Sequence, residues 1–463
     1  MFETSIYAER RRSLKEKFDS GLILLLGNGE SPSNFPANPY PFRQDSTFLY
    51  YFGIDRPGYA GTIDIDNNLE TLFGDDSSID EIVWTGPQPT VNDYAEIVGV
   101  KRAAETEKLH EQISSAIKKG RKVHFLPQYR LGNQIQLSWL TGVKLNNVNN
   151  YASEKLIKAV VAQRSVKSSE EIEELDEAVD IASKMHLAAM KMAKPDTDER
   201  KIAGMIEGIA NSLGYGLSFQ PIVSIKGQTL HNPFYDNKMK SGNLLVNDSG
   251  AESKLHYASD ITRTIPVGGK FSDMQKDIYQ IVLNAETNAI NSVAPGVSFK
   301  ELHLGAAKDI ASGLMELGLM FGNAEEAVNA GAHSLFFPHG LGHMLGLDVH
   351  DMESLGEELV GYDETVQRSE EFGLKYLRLA KSLQTGFVCT IEPGIYFIPE
   401  LIDQWKSQNQ FPEFINYDML ETYKDFGGIR IEDDILVTEE GQRVLGSKPI
   451  PKTVEELEAI VGK

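Results

Sequence analysis

Residues 427–438 of the chain, GGIRIEDDILVT, form an apolar β-type run that charged side chains interrupt. Successive side chains of a strand point to opposite faces, so Arg430, Glu432 and Asp434 are expected to share one face. The isoleucines between them would point the other way, into a core. A carboxylate is costly to bury unless it is paired or binds a cation. The segment therefore predicts a strand with a charged site along one face.

Four other segments also carry an acidic residue or a histidine within or at the edge of an apolar run: 242–248 (GNLLVND, with Asp248), 259–267 (SDITRTIPV, with Asp260), 338–351 (PHGLGHMLGLDVHD, with His343) and 386–397 (GFVCTIEPGIYF, with Glu392). One such carboxylate alone is typical of a salt bridge or a strand end. Four carboxylates with one histidine instead favour a metal site, and their charge would neutralise two divalent cations. A ligand set of oxygens with one imidazole suits Mn²⁺.

Three other catalytic patterns fit poorly. His339 and His343 have the i, i+4 spacing of a zincin helix, but two glycines lie between them and the glutamate of that motif is absent. The segment 27–33 (GNGESPS) lacks the lysine and the helix that a phosphate-binding loop needs. No local pattern marks a serine or cysteine nucleophile.

The composition of the chain excludes several classes of protein. Of its 463 residues 41% are hydrophobic and 24% are charged, as in an ordinary globular protein. The formal net charge of −22 argues against a nucleic-acid partner, because phosphate binding needs a basic surface. No run approaches the roughly 20 apolar residues of a membrane helix, and the first residues lack the apolar core of a secretory signal. The single cysteine, Cys389, excludes an internal disulfide and indicates a cytoplasmic protein.

The length predicts two domains, divided near residue 164. Residues 1–163 suggest a mixed α/β domain, with a charged helix over 6–18 and strands at three apolar runs: 21–27, 61–66 and 81–86. Ser168 and Glu171 match a capping box, which predicts a long amphipathic helix at the start of a second domain, residues 164–463.

Several motifs, taken in order, closely resemble the aminopeptidase P/prolidase branch of the pita-bread metallopeptidases: NDSG (247–250), HGLGHMLGLDVHD (339–351), TIEPGIYF (390–397) and GGIRIEDD (427–434). The runs FRQDSTFLYYFGI (42–54) and PGYAGTIDID (57–66) look like the N-terminal domain of that branch, so the resemblance covers nearly the whole chain. It implies an α+β pita-bread catalytic domain after a smaller α/β domain. The activity it implies is hydrolysis of the bond between an N-terminal residue and a following proline.

The resemblance also implies two metal ions, usually manganese. Asp248, Asp260 and Glu432 would hold one ion. Asp260, His343, Glu392 and Glu432 would hold the other, so that Asp260 and Glu432 bridge. Glu392 would also move protons between the attacking water and the leaving imino nitrogen. The spacing from Asp248 to Asp260 is one residue longer than the family's usual spacing, which predicts a bulge or a wider turn in residues 253–259 (SKLHYAS).

Other residues occupy positions that the family uses around the substrate. His231 would lie near the scissile group, His350 would donate to the carbonyl oxygen or the developing oxyanion, and Phe219 would form an aromatic wall. His339 and Arg430 would support the ligands and the substrate. Without the resemblance, His339, His350 and Phe219 would be interpreted as core or loop residues.

Two substrate classes remain open. Prolidases cleave Xaa-Pro dipeptides, and Arg378 falls where they place an arginine for the C-terminal carboxylate, which favours this class. Aminopeptidase P acts on longer peptides and is the alternative, since Arg378 would otherwise pair with Glu370 or Glu371 on its own helix. A third possibility is a non-catalytic binding protein of the same fold, but such proteins lose metal ligands and all five are present here. The family also implies a homodimer.

Overall fold

The computed structural model describes residues 1–463, and the chain divides into two compact units. The first unit comprises Met1–Arg164 and the short segment Ser354–Leu359. The second comprises Ser165–Glu353 and Val360–Lys463.

The first unit contains seven strands: β1 (Leu22–Leu26), β2 (Pro32–Phe35), β3 (Asn38–Pro39), β4 (Ala60–Asp64), β5 (Leu69–Phe73), β6 (Arg102–Ala104) and β7 (Val123–His124). Five of them form one mixed sheet in the order β6-β5-β4-β1-β7, in which β1 pairs antiparallel with β4 and parallel with β7. Strand β1 is the apolar run predicted at residues 21–27, and all its residues are buried. Leu22, Leu24 and Leu26 belong to a core that also contains Phe73, Ile113 and Leu137.

The same part of the chain contains seven helices: α1 (Thr4–Lys15), α2 (Ser46–Phe52), α3 (Ile79–Thr85), α4 (Val91–Ile97), α5 (Glu107–Lys118), α6 (Leu131–Thr141) and α7 (Glu154–Ser165). The strand predicted at residues 81–86 is wrong, because these residues belong to α3 and its C-cap. Ser78 and Glu81 form a capping box, which starts a helix locally. Val83 and Trp84 are exposed, so these apolar residues do not mark a buried strand.

The second unit contains ten short strands: β8 (Gly216–Leu217), β9 (Ile222–Ser224), β10 (Leu244–Ser249), β11 (Ala251–Glu252), β12 (Ile261–Pro266), β13 (Val388–Ile391), β14 (Gly394–Tyr396), β15 (Gly428–Arg430), β16 (Asp433–Val437) and β17 (Gln442–Val444). They form antiparallel sheets in the orders β12-β10-β9, β13-β16-β17, β11-β8 and β14-β15. Asp248 lies in β10, and Asp260 directly precedes β12.

Two of the predicted strands are interrupted at their glutamates. Glu392 lies between β13 and β14, where Pro393 has no N–H to continue a ladder, and Glu432 lies between β15 and β16. The regular alternation predicted through these segments therefore fails at both glutamates. Glu432 pairs instead with Thr262 through an isolated bridge, which brings the two chain segments that carry Asp260 and Glu432 together.

The longer connection between Asp248 and Asp260 forms a turn, as predicted for residues 253–259. Glu252 and Ala258 pair across its base. His256 adopts the left-handed backbone conformation, with φ of 69°, and its Nδ1 lies 2.5 Å from Glu252 Oε2. This contact joins two residues of the turn to each other.

The helices of the second unit are α8 (Ser169–Met192), α9 (Glu199–Leu213), α10 (Asp273–Asn291), α11 (Phe299–Glu316), α12 (Ala324–Ala330), α14 (Pro399–Ser407), α15 (Tyr417–Leu420) and α16 (Val454–Ile460), and α13 (Glu357–Val360) begins within the segment assigned to the first unit. The predicted capping box of Ser168 and Glu171 is confirmed and opens α8. No helix of the structure combines the length and the apolar composition that crossing a membrane requires.

Candidate metal centre

A cavity of about 700 Å³ lies in the second unit and gathers residues that are far apart in the sequence. All eleven residues singled out in the sequence line it: Phe219, His231, Asp248, Asp260, His339, His343, His350, Arg378, Glu392, Arg430 and Glu432. The predicted ligands and the predicted substrate-binding residues thus share one compartment.

Asp260, His343 and Glu432 form the tightest group in this cavity, with ligand atoms that all lie within 4.8 Å of one another. Nδ1 of His343 lies 3.1 Å from the Met344 carbonyl oxygen, so we assign the ring proton to this nitrogen. Nε2 then keeps its lone pair, 3.5 Å from Asp260 Oδ2 and 3.7 Å from Glu392 Oε1. A ring oriented in this way by the backbone is prepared to bind a metal.

Two buried carboxylate oxygens in the cavity have no hydrogen-bond partner, Oδ1 of Asp248 and Oδ1 of Asp260. Leaving such an atom unpaired costs free energy, and a divalent cation would satisfy both. Four carboxylates and one imidazole are also a suitable donor set for a hard divalent ion. The residues present therefore fit a metal site.

Burial and neighbouring charges shift the pKa values of the candidate ligands. Burial, reinforced by the charge of Glu432, raises the pKa of Asp260 well above its usual range. Burial, reinforced by Glu392, raises the pKa of Glu432 in the same way, and burial raises the pKa of Glu392 to about 7. Burial also lowers the pKa of His343 well below its usual value. Ionised carboxylates need a compensating positive charge here, which a bound cation would supply.

Arg430 connects three groups around the ligands. Its Nη2 donates to Asp248 Oδ2 at 2.6 Å, its Nη1 donates to the Tyr396 hydroxyl at 2.7 Å, and its Nε donates to Thr262 Oγ1 at 3.2 Å. The sequence predicted Arg430 beside Glu432. In the structure Arg430 contacts Asp248 directly and is connected to Glu432 through Thr262, whose hydroxyl donates to Glu432 Oε2 at 2.6 Å.

Tyr396 and Thr262 are site residues that sequence reasoning missed. The Tyr396 hydroxyl lies 2.9 Å from His339 Nε2, while His339 Nδ1 donates to the Gly340 carbonyl at 2.8 Å, so Tyr396 is assigned as the donor to Nε2. Both ring nitrogens of His339 are thereby engaged, and burial lowers its pKa to about 3. His339 is held neutral beside the ligands, which suits a supporting group. In the sequence, only the hydroxyl groups of Thr262 and Tyr396 within largely apolar strands could have indicated a role for these residues.

Two charged residues, Asp434 and Arg263, form hydrogen bonds with the chain segments that carry Asp260 and Glu432. Asp434 Oδ2 accepts from the backbone N–H of Asp260 at 3.0 Å. Arg263 is fully buried and donates to the Glu432 carbonyl at 2.7 Å and to Asp433 Oδ1 at 2.7 Å. These contacts are to the backbone of Asp260 and Glu432 and to the neighbouring side chain of Asp433.

On the substrate side of the cavity, the His350 ring lies 4.3 Å from the His343 ring, centroid to centroid. Glu353 Oε2 lies 2.6 Å from His350 Nδ1 and 3.5 Å from Arg378 Nε. The helix expected around Arg378 is only the 3-10 turn Leu374–Tyr376, which ends before it. His231, Gln220 and Asn232 complete the polar part. The apolar wall consists of Phe219, Ile222, Leu230, Pro233, Pro338, Val349, Phe372, Tyr376, Ile398 and Leu401.

The chain is similar over nearly its whole length to known peptidases. It is 31% identical to the Xaa-Pro dipeptidase of Homo sapiens, over 98% of this chain and 93% of that protein. It is 32% identical to a probable Xaa-Pro aminopeptidase of Paracoccidioides brasiliensis, over 95% of this chain and 92% of that protein. The structure of aminopeptidase P from E. coli with the inhibitor Pro-Leu matches with a TM-score of 0.80 at 29% identity, covering 99% of this chain and 98% of that one.

Two family models account for most of the chain. Residues 7–124 match the aminopeptidase P N-terminal domain, and residues 173–439 match metallopeptidase family M24. Together with the structural match, they confirm the resemblance and the fold class predicted from the sequence, an α+β catalytic part after a smaller α/β part. The chain therefore belongs to metallopeptidase family M24 and carries an N-terminal domain of the aminopeptidase P type.

Proposed function

We propose that this protein is a manganese-dependent exopeptidase that hydrolyses the bond between an N-terminal residue and proline. The observation that carries the proposal is the cavity in which four carboxylates and His343 converge, with two carboxylate oxygens left without hydrogen-bond partners. The names of the relatives, Xaa-Pro dipeptidase and Xaa-Pro aminopeptidase, supply the substrate class.

Two divalent ions would be shared by the five ligands. We assign Asp248, Asp260 and Glu432 to one ion and Asp260, His343, Glu392 and Glu432 to the other, with Asp260 and Glu432 in both sets. When bound, the ions would lower the pKa of a water molecule and polarise the scissile carbonyl. Glu392, which lines the same cavity as the other ligands, would carry the proton from that water to the leaving imino nitrogen.

The histidines of the cavity have separate tasks in this proposal. His350 donates to the carbonyl oxygen of the substrate, where charge develops in the transition state. His231 contacts the scissile peptide group, and Phe219 forms a wall beside it. His339, engaged at both nitrogens, and Arg430, engaged by Asp248, keep the ligands in place.

Within this class we favour an Xaa-Pro dipeptidase. Arg378 lines the cavity and would bind the carboxylate that a dipeptide carries directly after proline. The likeness to E. coli aminopeptidase P supports the alternative, an Xaa-Pro aminopeptidase that acts on longer peptides. Comparing Ala-Pro with Ala-Pro-Ala decides between them, because equal rates would remove the role of Arg378 as the determinant of length.

Activity after metal removal tests the proposed function itself. Protein stripped with a chelator should leave Ala-Pro and Ala-Pro-Ala intact, and added Mn²⁺ should restore cleavage of at least one of them. Ala-Ala, which lacks proline, is the matched control and should remain uncut. Metal-loaded protein that cleaves neither proline peptide would contradict the proposal and favour a non-catalytic binding protein.

We also propose residues 1–163 and 164–463 as the two domains, the second with the pita-bread fold. A homodimer is proposed from the resemblance. A cytoplasmic location is proposed from the single cysteine, Cys389, which is buried and free. Light scattering on the purified protein would test the dimer.

A further inference from the structure

A single carboxylate oxygen lies between two cationic or ionisable groups of the cavity. Glu353 Oε2 is 2.6 Å from His350 Nδ1 and 3.5 Å from Arg378 Nε. His350 and Arg378 line the cavity, whereas Glu353 stands outside its lining, at the start of the 3-10 turn Glu353–Leu355. Glu353 therefore contacts both residues that the proposed function places on the substrate. These are His350, which donates to the carbonyl oxygen, and Arg378, which binds the carboxylate.

The contact with His350 fixes which ring nitrogen faces the substrate. An ionised carboxylate only accepts hydrogen bonds, so His350 Nδ1 must carry a proton and donate it to Glu353. Nε2 is then the nitrogen that remains for a ligand in the cavity. The contact also holds the ring at its 4.3 Å distance from the His343 ring.

The contact with Arg378 acts through charge. At 3.5 Å, Nε and Oε2 form an ion pair rather than a good hydrogen bond. The two side chains are 32% and 41% exposed, so the pair is as weak as exposed ion pairs usually are. Even so, a carboxylate that approaches Arg378 meets an arginine already partly neutralised and a second negative charge beside it.

We propose that Glu353 is a positioning residue that aims His350 and moderates the affinity of Arg378 for a substrate carboxylate, and so sets how strongly the site prefers peptides that end at proline. The inference rests on the proposed function for the reaction. The predicted effect on carboxylate binding does not depend on the proposed function, because that binding can be measured without turnover.

The binding test uses Mn²⁺-loaded protein and two probes, L-proline and L-prolinamide, which differ in the carboxylate. Glu353→Gln keeps an oxygen that accepts from His350 Nδ1 but removes the charge beside Arg378. It should bind L-proline about two- to fivefold more tightly, the size expected for an exposed ion pair, and prolinamide with unchanged affinity. Equal changes for the two probes, or no change for L-proline, would overturn the proposal.

Two further variants make the binding test specific. Glu364→Gln removes a charge from an exposed glutamate outside the cavity lining and should leave both affinities as they are. In an Arg378→Met background, Glu353→Gln should lose its effect on L-proline, because the two substitutions act on one pair. A persistent effect in that background would contradict the assigned partner.

Turnover tests the contact with His350. Glu353→Ala removes the acceptor and should lower kcat for Ala-Pro by about tenfold, while Glu353→Gln should retain more of kcat than Glu353→Ala does. Equal kcat in the two variants would show that His350 needs no acceptor and would refute this half of the proposal. If the wild-type protein cleaves no Xaa-Pro peptide, the proposed function fails, and the binding measurements still decide the inference.

Discussion

Arg430 donates from Nη2 to Oδ2 of Asp248 at 2.6 Å, across 182 residues of sequence, while Oδ1 of the same carboxylate has no hydrogen-bond partner. The arginine therefore engages one oxygen and leaves the other to a cation. Because Arg430 also binds the Tyr396 hydroxyl, the orientation of Asp248 is linked to that of His339. One buried arginine thus holds two sides of the candidate metal centre.

Replacing Arg430 should impair the centre without removing a ligand. Arg430→Met leaves Asp248 without its donor, and we expect kcat/KM for Ala-Pro to fall about 10- to 100-fold. Arg430→Lys keeps a charge but not the planar fork, so it should recover only part of the loss. Steady-state kinetics at saturating Mn²⁺ measures both, and wild-type values for Arg430→Met would contradict the link.

The proposed function gives Glu392 a double role, as ligand and as proton carrier. Glu392→Gln preserves the shape of the side chain but removes its basic oxygen, and we expect kcat to fall by at least about 100-fold. Glu364→Gln is the control for the loss of a surface charge. Activity of Glu392→Gln within tenfold of the wild type, at equal metal content, would refute the proton-transfer role.

Sequence patterns singled out the candidate ligands because each one stands out within or beside an apolar run. Asp248, Asp260, Glu392 and Glu432 all line the one cavity where that reasoning expected them to meet. The interruptions at Glu392 and Glu432 escaped prediction, since strand alternation assumes a continuous ladder and both residues lie in gaps between strands.

The contacts around the ligands were beyond local patterns. Nothing near Arg430 in the sequence indicates that it pairs with Asp248, because strands from distant segments create that contact.

The wrong prediction of a strand at residues 81–86 has the opposite cause. There a local signal, the capping box of Ser78 and Glu81, outweighed the β-type composition of EIVWTG, and its exposed Trp84 belongs to no core.

A buried histidine outside the metal centre should make the protein sensitive to acid. His303 is fully buried in α11, neither ring nitrogen has a hydrogen-bond partner, and burial lowers its pKa from 6.5 to about 3. Between these values the unfolded chain binds a proton that the folded protein does not. Its contribution to stability is therefore complete above about pH 6.5 and is lost as the pH falls.

His303→Phe removes this titration and keeps an aromatic ring next to Phe337. Between pH 6 and pH 5, the free energy of unfolding of the wild type should fall more steeply than that of the variant, by up to about 1.4 kcal/mol per pH unit. Denaturant titrations at pH 7, 6 and 5 measure the slopes. Parallel slopes for the two proteins would mean that His303 is not a source of acid sensitivity.

The central claim is that Asp248, Asp260, His343, Glu392 and Glu432 hold two metal ions. An anomalous difference map from crystals grown with Mn²⁺ tests it most directly. We expect two peaks in the cavity, one in contact with Asp248 and one with His343, and both in contact with Asp260 and Glu432. A single peak, a peak that avoids these five residues, or no peak at saturating Mn²⁺ would contradict the claim.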